Sequence, residues 1–408
     1  MEKFDYGIIG GGPAGYTAGM MLAQKGSKVV IFEKDKIGGT CLNRGCIPTK
    51  SFLHSADLFE ELKSNSCGIE AENLKINFHK VVEKKNQTVE KIRKSLELAI
   101  KNAGIQIVYG EACISGDNVI KVNNTEYYAN NIILATGAKP REISGLEFDR
   151  SFILSSDDIL QLQELPRSIL IIGSGAIGIE WARILSEFGV EVTVVEKAEH
   201  LIPLADIEVS KRIERIFKHK KIKYLLNDSV EKLEDKKITL KSGNILSAEK
   251  ILVAVGRVPV CPECKNIKIL GDACGEIQLA HYAIHQAKYE ALGIPFEKKL
   301  VPSVIYGTPE IAWVGLREQD TDESYTKTTL PITMLGKAWC DDATDGFIKI
   351  ITKNNKIYGA HIVSKEASSL IHTILIAIQN NITIDKLKQL CFAHPTYSEG
   401  IFETVLRC

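Results

Sequence analysis

The sequence predicts an α/β protein that contains two Rossmann-like dinucleotide-binding domains. The main observation is an internal repeat, in which FDYGIIGGGPAGYTAGMMLAQKGSKVVIFEK near the N-terminus is matched by SILIIGSGAIGIEWARILSEFGVEVTVVEK in the middle of the chain. Each copy reads as an apolar strand, a glycine loop, a helix, a terminating glycine and a second strand that ends in an acid. One glycine pattern alone is a weak signal, but two copies in the same full context are a strong one.

Three glycines in each loop have separate roles. They are Gly10, Gly12 and Gly15 in the first copy and Gly173, Gly175 and Gly178 in the second. The first glycine permits a tight turn, the second lets the backbone approach a pyrophosphate, and the third lets helix and strand pack closely. A pyrophosphate is therefore expected at the helix N-terminus, where unpaired N–H groups and the helix dipole favour anions.

An acid ends the second strand of each copy, Glu33 in the first and Glu196 in the second. A carboxylate at this position accepts hydrogen bonds from a ribose and repels a 2′-phosphate. No arginine pair follows Glu196 in VVEKAEHLIP. The second site is therefore predicted to prefer NAD to NADP.

Composition excludes several function classes. The 51 basic and 51 acidic residues give a formal net charge of +0, so neither nucleic acid nor an anionic membrane is expected as a partner. No apolar run is long enough to span a membrane and no signal peptide is visible, so a cytoplasmic location is expected. The ten cysteines should then be mostly reduced, and a disulfide there is more often catalytic than structural.

Cys41 and Cys46 form the candidate redox pair. Five residues of regular α-helix rise by ~7.5 Å, whereas a disulfide needs Cα atoms ~4.4–6.8 Å apart. A bridge therefore requires a bend, which Gly45 permits. The residues after Pro48 read as a helix, so Cys46 should lie near a helix N-terminus, where a thiolate is favoured. By spacing alone, two small core cysteines remain an equal alternative.

Several motifs, in order along nearly the whole chain, resemble the pyridine nucleotide–disulfide oxidoreductases. They are GGTCLNRGCIPTK around the cysteines, ILATGAKP, VAVGRVP, ILGDACGEIQLAH, VPSVIYGTPEIAWVG and FAHPTYSEG near the C-terminus. Leu42 and Ile47 favour the dihydrolipoamide dehydrogenase branch. The resemblance implies an NAD-dependent enzyme that oxidises dihydrolipoamide to lipoamide through a Cys41–Cys46 disulfide and FAD.

The resemblance also implies catalytic roles. Cys46 is expected to face the flavin, and Cys41 to exchange with the substrate sulfur. His394 is expected to act as the base, contributed by the other subunit of a homodimer, with Glu399 orienting it. A base near neutrality suits a thiol that titrates near ~8.5. Without its neighbours, His394 would read as an ordinary surface histidine.

The remaining site residues are expected to contact FAD or NAD, and no metal is expected. Lys50 and Glu180 resemble the pair beside the flavin, and Asp272 resembles the ligand of its ribityl chain. The predicted cofactor contacts are Gly10, Gly12, Gly15, Glu33, Gly39, Thr40, Lys50, Thr136, Gly137, Gly173, Gly175, Gly178, Glu180, Glu196, Gly256, Arg257, Gly271 and Asp272.

The predicted architecture is two Rossmann-like domains, for FAD and NAD, plus a C-terminal α+β dimerisation domain. The FAD domain covers 1–140 and a shortened second part at 258–299, the NAD domain 141–257, and the interface domain 300–408. In relatives the stretch between Arg257 and Asp272 is longer, so the cover of that face is in question. Cys261 and Cys264 in this stretch have CxxC spacing, which fits plain thiols, an auxiliary redox pair or a metal site.

Two alternatives to a dihydrolipoamide dehydrogenase stay open. One is a related NAD(P)H-dependent reductase of another disulfide, and the other is a largely structural flavoprotein subunit of a lipoyl-dependent complex. The expected partners are dihydrolipoamide or a lipoyl-carrier protein, a second copy of the chain, and a 2-oxo-acid dehydrogenase or glycine-cleavage complex.

Overall fold

The structure is a computed structural model that describes residues 2–64, 68–261, 267–296 and 300–408. In these ranges, no helix is both long enough and apolar enough to cross a membrane. Of the two cysteines with CxxC spacing, Cys261 is exposed. Cys264 lies outside the described residues.

The N-terminal part of the chain forms a mixed sheet with helices on its faces, and its last short strand pairs outside that sheet. Its elements are β1 (Glu2–Ile9), α1 (Pro13–Gln24), β2 (Val29–Glu33), α2 (Gly39–Arg44), α3 (Cys46–Ser64), α4 (Phe78–Asn102), β3 (Gln106–Tyr109), β4 (Ala112–Gly116), β5 (Val119–Val122), β6 (Thr125–Leu134) and β7 (Ala138–Pro140). Strands β3, β2, β1 and β6 are parallel neighbours, in that order. The apolar residues of β1, β2 and β6 are mostly buried on both faces, as parallel strands covered by helices require.

The middle of the chain repeats this arrangement. It contains β8 (Ile153–Leu154), β9 (Ser168–Ile172), α5 (Ala176–Glu187), β10 (Glu191–Val195), α6 (Ile207–His219), β11 (Lys223–Leu225), β12 (Val230–Glu234), β13 (Lys237–Leu240), β14 (Ile245–Ser247) and β15 (Lys250–Val253). A parallel sheet in the order β11-β10-β9-β15-β8 is flanked by a small antiparallel sheet of β12, β13 and β14. The two sequence repeats are therefore the units β1-α1-β2 and β9-α5-β10.

The C-terminal part is an antiparallel sheet followed by helices. Before it, the chain returns to the N-terminal part through β16 (Arg257–Pro259), β17 (Lys268–Ile269) and α7 (Ala280–Leu292). The elements of the C-terminal part are β18 (Ser303–Ile305), β19 (Glu310–Gly315), β20 (Thr326–Pro331), α8 (Gly336–Cys340), β21 (Phe347–Lys353), β22 (Lys356–Ser364), α9 (Ala367–Gln379), α10 (Ile384–Leu387) and α11 (Glu399–Leu406). The sheet order is β18-β19-β22-β21-β20. Helix α9 packs on it through Leu370, Ile371 and Ile374, all buried.

The shortened stretch still reaches the first sheet. Strand β16 pairs with β7, and the two-residue strand β17 pairs with β6 in parallel. Ile267 and Ile269 pack against the buried residues of the first sheet. The short strand β17 therefore covers the edge of β6. The domain boundaries given above remain predictions.

One apolar cluster runs through all three parts of the chain. Phe52 of α3 contacts Trp181 of α5, with ring centroids 5.4 Å apart. Ile305 and Phe347 of the C-terminal sheet belong to the same cluster. Helix α3, which begins at Cys46, therefore packs against the middle and C-terminal parts of the chain. This packing fixes the position of Cys46.

Candidate active site

The first glycine loop leaves space at the start of α1. Gly10 has a φ of +107°, and a Cβ on Gly15 would lie 1.9 Å from the Gly10 carbonyl oxygen. A Cβ on Gly12 would meet only the Cα of Gly39, at 3.7 Å. No side chain caps the helix at Gly12, so its first N–H groups face this space. The loop therefore fits a dinucleotide pyrophosphate.

The second loop repeats this geometry. Gly173 has a φ of +100°, and a Cβ on Gly178 would lie 2.0 Å from the Gly173 carbonyl oxygen. A Cβ on Gly175 would meet nothing within 4 Å, and no side chain caps α5. The two loops would hold FAD and NAD, respectively, through the same uncapped helix N-termini.

Each strand-end acid is fixed by its own glycine loop. Glu33 Oε2 accepts a hydrogen bond from the Gly11 N–H at 2.8 Å. Glu196 Oε2 accepts from the backbone N–H of Ser174 at 2.7 Å and from its hydroxyl at 2.8 Å. Sequence reasoning missed the role of Ser174, although its place inside the glycine loop was visible. Both carboxylates lie beside the glycine loops. Their contact with the ribose of a cofactor remains a prediction.

The two cysteines lie on either side of a break between two helices. Cys41 lies in α2, and Cys46 is the first residue of α3. At the break, a Cβ on Gly45 would lie 2.9 Å from the Thr40 carbonyl oxygen and 3.3 Å from the Cys41 Cα. The predicted bend and the helix N-terminus at Cys46 are both present. Both thiols are reduced and half-buried in this structure.

The two thiols differ in charge. A hydrogen bond from Cys41 lowers the pKa of Cys46 to about 7, Lys50 adds to this effect, and burial opposes it. The same hydrogen bond, together with burial, raises the pKa of Cys41. Of the two thiols, Cys46 has the lower pKa, so it is the one that loses its proton first as pH rises.

Lys50 lies one turn after Cys46 and forms an ion pair with α5. Its Nζ lies 2.9 Å from each carboxylate oxygen of Glu180. Glu180 is 4 % exposed and also accepts a hydrogen bond from the backbone N–H of Tyr306 at 3.1 Å. Because Glu180 is 130 residues from Lys50, only the fold brings this pair to the cysteines.

Gly39 and Thr40 are the first two residues of α2, the helix that carries Cys41, and Gly39 lies against the first glycine loop. A Cβ on Gly39 would lie 2.6 Å from the Cα of Gly12. Burial raises the pKa of Tyr16 on α1, and the charges of both cysteines raise it further. Tyr16 therefore lies close enough to the pair to interact with it. The redox pair and the predicted pyrophosphate site are therefore neighbours.

The other predicted cofactor residues lie on loops where the first sheet meets the second. Gly137 and Gly256 face open space, since a Cβ on either would meet nothing within 4 Å. The hydroxyl of Thr136 donates to the Val260 carbonyl. The contact of these residues with a cofactor remains a prediction.

Arg257, Gly271 and Asp272 have partners within the chain. Arg257 donates to the Ala138 carbonyl at 2.6 Å. The Gly271 N–H donates to the side chain of Gln286 at 2.7 Å. Burial raises the pKa of Asp272, and Arg257 opposes this. Their contacts with a cofactor remain predictions.

The C-terminal motif builds a histidine–carboxylate pair on the surface. His394 Nδ1 donates to Glu399 Oε1 at 2.8 Å, and the Thr396 N–H donates to Glu399 Oε2 at 2.8 Å. Burial acts against ionisation of Glu399, but the Thr396 N–H and His394 lower its pKa. The His394 side chain is 77 % exposed, so its Nε2 is available to a second molecule. Across the described ranges, no hydrogen bond or ion pair joins His394 to the cysteines.

Two dinucleotide-binding folds around a reactive thiol pair define a flavoprotein disulfide oxidoreductase. Residues 4–283 match the family described as pyridine nucleotide-disulphide oxidoreductase, and residues 301–405 match the dimerisation domain of that family. The chain therefore belongs to the pyridine nucleotide-disulphide oxidoreductase family. The expected fold class, enzyme class and cofactors, FAD and NAD, are confirmed, and the dimerisation domain supports a homodimer.

The similar proteins cover the whole chain. Dihydrolipoyl dehydrogenase from Bacillus subtilis is 34% identical over 463 residues, which span 99% of this chain and 98% of that protein. Dihydrolipoyl dehydrogenase from Chlamydia pneumoniae is also 34% identical, over 98% of this chain and 95% of its own length. The crystal structure of LpdA from Mycobacterium tuberculosis has a TM-score of 0.90 and 25% identity, and the match covers 100% of this chain and 99% of that one. The first alignment exceeds this chain's 408 residues, so the Bacillus protein contains segments that this chain lacks.

Proposed function

We propose that the protein oxidises dihydrolipoamide to lipoamide and passes the two electrons to NAD⁺. The observation that carries the proposal is the thiol pair on either side of the break between α2 and α3, in which Cys46, at the start of α3, has the lower pKa of the two. An attacking thiol and a leaving thiol need this difference. The name shared by the Bacillus and Chlamydia relatives supports dihydrolipoamide as the substrate.

The cysteines perform the exchange with the substrate. One dihydrolipoamide thiolate attacks Cys41 of the oxidised pair, and the S–S bond breaks with Cys46 leaving as the thiolate. The second substrate sulfur then attacks the first, which forms lipoamide and releases Cys41. The substrate is oxidised by two electrons, the pair is reduced, and two protons leave the substrate thiols. FAD and NAD, when bound, carry the electron pair onward as a hydride.

His394 of the partner subunit is the proposed base for the substrate thiol. Its Nδ1–H is held by Glu399, so Nε2 carries the lone pair that takes up a proton. The surface position of the pair within one chain agrees with use by a second copy.

The carrier and the compartment are part of the same proposal. The proposed form of the substrate is dihydrolipoamide on a lipoyl-carrier protein, and the proposed assembly is a 2-oxo-acid dehydrogenase or glycine-cleavage complex. A cytoplasmic location, where cysteines stay reduced between turnovers, suits a thiol pair that cycles.

A substrate panel tests the proposal. The purified flavoprotein is assayed with dihydrolipoamide and NAD⁺, and in the reverse direction with lipoamide, glutathione disulfide or coenzyme A disulfide and either NADH or NADPH. We expect turnover with dihydrolipoamide and NAD⁺, and a preference for NADH with lipoamide. Faster reduction of another disulfide would replace the substrate in this proposal. Flavin that is not reduced by NADH or by dihydrolipoamide would indicate a structural subunit.

A further inference from the structure

Tyr306, which precedes β19 in the C-terminal domain, reaches the redox centre of its own chain. Its ring lies under Lys50, with Nζ 4.5 Å from the ring centroid. Its backbone N–H donates to Glu180 Oε1 at 3.1 Å. One residue of the third domain therefore contacts both members of the ion pair beside Cys46.

These contacts restrict the position of the Lys50 ammonium. Two oxygens of Glu180 hold it at 2.9 Å on one side, and the face of the Tyr306 ring lies on another. Burial raises the pKa of the Tyr306 phenol, which Lys50 opposes, so the phenol is neutral and its ring keeps a negative face. An ammonium over such a face is attracted to it.

The segment that carries Tyr306 is anchored to the same helix as Glu180. Arg183 of α5 is fully buried and donates to the Pro309 carbonyl at 2.7 Å. Gly307 has a φ of +128°, and a Cβ there would lie 2.6 Å from the Arg183 guanidinium. Helix α5 therefore holds both Glu180 and the chain segment that directly follows Tyr306, which restricts where the Tyr306 ring can lie.

We propose that Tyr306 is a positioning residue: its ring holds Lys50 between Glu180 and Cys46, so that the C-terminal domain of the same chain favours the Cys46 thiolate. This rests on the proposed role of Cys46 in the function above. The charged and titratable groups around Cys46 are Cys41 of α2, Lys50 of α3, Glu180 of α5, Tyr16 of α1 and Tyr306 itself. Lys50 is the cation among them, so its position decides how well the thiolate is stabilised.

The test compares Tyr306→Phe, which keeps the ring, with Tyr306→Leu, which removes it. Tyr325→Leu is the matched control, because Lys353 Nζ lies 4.5 Å from the Tyr325 ring at a distant site of the same domain. The holoenzyme is reduced by two electrons without lipoamide. The Cys46 thiolate is then titrated with pH through its ultraviolet thiolate absorbance and its long-wavelength charge-transfer absorbance.

We expect the midpoint to rise by about 0.5 pH unit or more in Tyr306→Leu, and to stay unchanged in Tyr306→Phe and in the control. A fluorinated phenylalanine at position 306, which keeps the volume and cancels the negative ring face, should raise it too, even if the leucine variant does not fold. An unchanged midpoint in a folded Tyr306→Leu or fluorinated variant would overturn the role of Tyr306 alone. A parent protein without a titrating thiolate would overturn the proposed role of Cys46 as well.

Discussion

At the scale of single residues, the two cysteines differ because different groups surround them. The Cys41 thiol donates to Cys46, and Lys50 adds a positive charge on the same side. The family motif around the cysteines implied the redox pair, and the five-residue spacing with Gly45 predicted the bend that a bridge requires. The contact of Tyr306 with Lys50 was not predictable in the same way, because these two residues meet only after separate sheets have packed together.

The exposed histidine leads to a prediction at this scale. Replacing His394 by Gln should slow dihydrolipoamide turnover by roughly 10²–10⁴-fold, because the substrate thiol loses its base, while flavin content stays unchanged. Steady-state rates and the visible spectrum measure both. His219→Gln, at an exposed position on α6, is the control and should keep the parent rate. A parent-like rate in the His394 variant would remove this residue from the mechanism.

At the scale of elements, the repeat predicted both glycine turns with their helices and strands. Its signal was strong because strand, loop and helix each leave a pattern in the sequence. The short strands β16 and β17 were not predictable, because two or three residues carry no periodicity. Their positions depend on pairing with β7 and β6, which precede them by more than 100 residues in the sequence.

The second glycine turn gives a prediction that separates packing from binding. Gly178→Ala should lower both the midpoint of thermal unfolding and NAD affinity, since its Cβ would lie 2.0 Å from a backbone oxygen. Gly175→Ala should lower NAD affinity by about tenfold or more with the unfolding midpoint unchanged, because its Cβ enters only the space for the pyrophosphate. Calorimetry and NADH titration measure both variants.

Flavin content is the internal control for these two variants, because the first glycine loop is untouched. Parent-like NAD affinity in Gly175→Ala would show that the pyrophosphate does not approach this turn. Equal unfolding midpoints for Gly178→Ala and the parent would contradict the close packing of α5 against its strand.

At the scale of the whole molecule, a buried charge cluster joins the second sheet to the C-terminal sheet. Lys349 of β21 is 1 % exposed and lies 2.8 Å from Asp206, which is fully buried at the start of α6. Glu208 and Glu318 also contact the ammonium. The local sequence around Lys349 did not predict this cluster, because the acidic partners of Lys349 are distant in the chain.

Removing the cation should destabilise the protein. Lys349→Met leaves Asp206 buried without its partner, which costs about 3–5 kcal/mol in the free energy of unfolding. Lys353→Met, on the same strand with a partly exposed lysine, should change the free energy of unfolding by less than about 1 kcal/mol. Urea unfolding measures both variants.

The loss should depend on pH in a defined direction. Burial opposes ionisation of Asp206, but Lys349 and backbone N–H groups hold its pKa below the ordinary value. A depressed pKa contributes stability above the ordinary value near ~3.9, and this contribution is lost as pH falls through the folded value. The gap between parent and Lys349→Met should therefore be widest near neutrality and should narrow on acidification. A gap that grows on acidification would contradict the pairing.

The central claim is that Cys46 is the thiolate beside the flavin, and one spectroscopic titration tests it most directly. The parent, Cys41→Ser and Cys46→Ser proteins are reduced anaerobically, and the long-wavelength charge-transfer absorbance is followed with pH. The pKa of Cys46 lies at about 7, so the parent should lose this absorbance as pH falls through about 7. Cys41→Ser should retain the absorbance with a higher midpoint, because the hydrogen bond to Cys46 is weakened, and Cys46→Ser should lack it at every pH. Absorbance that survives in Cys46→Ser, or disappears only in Cys41→Ser, would contradict the account.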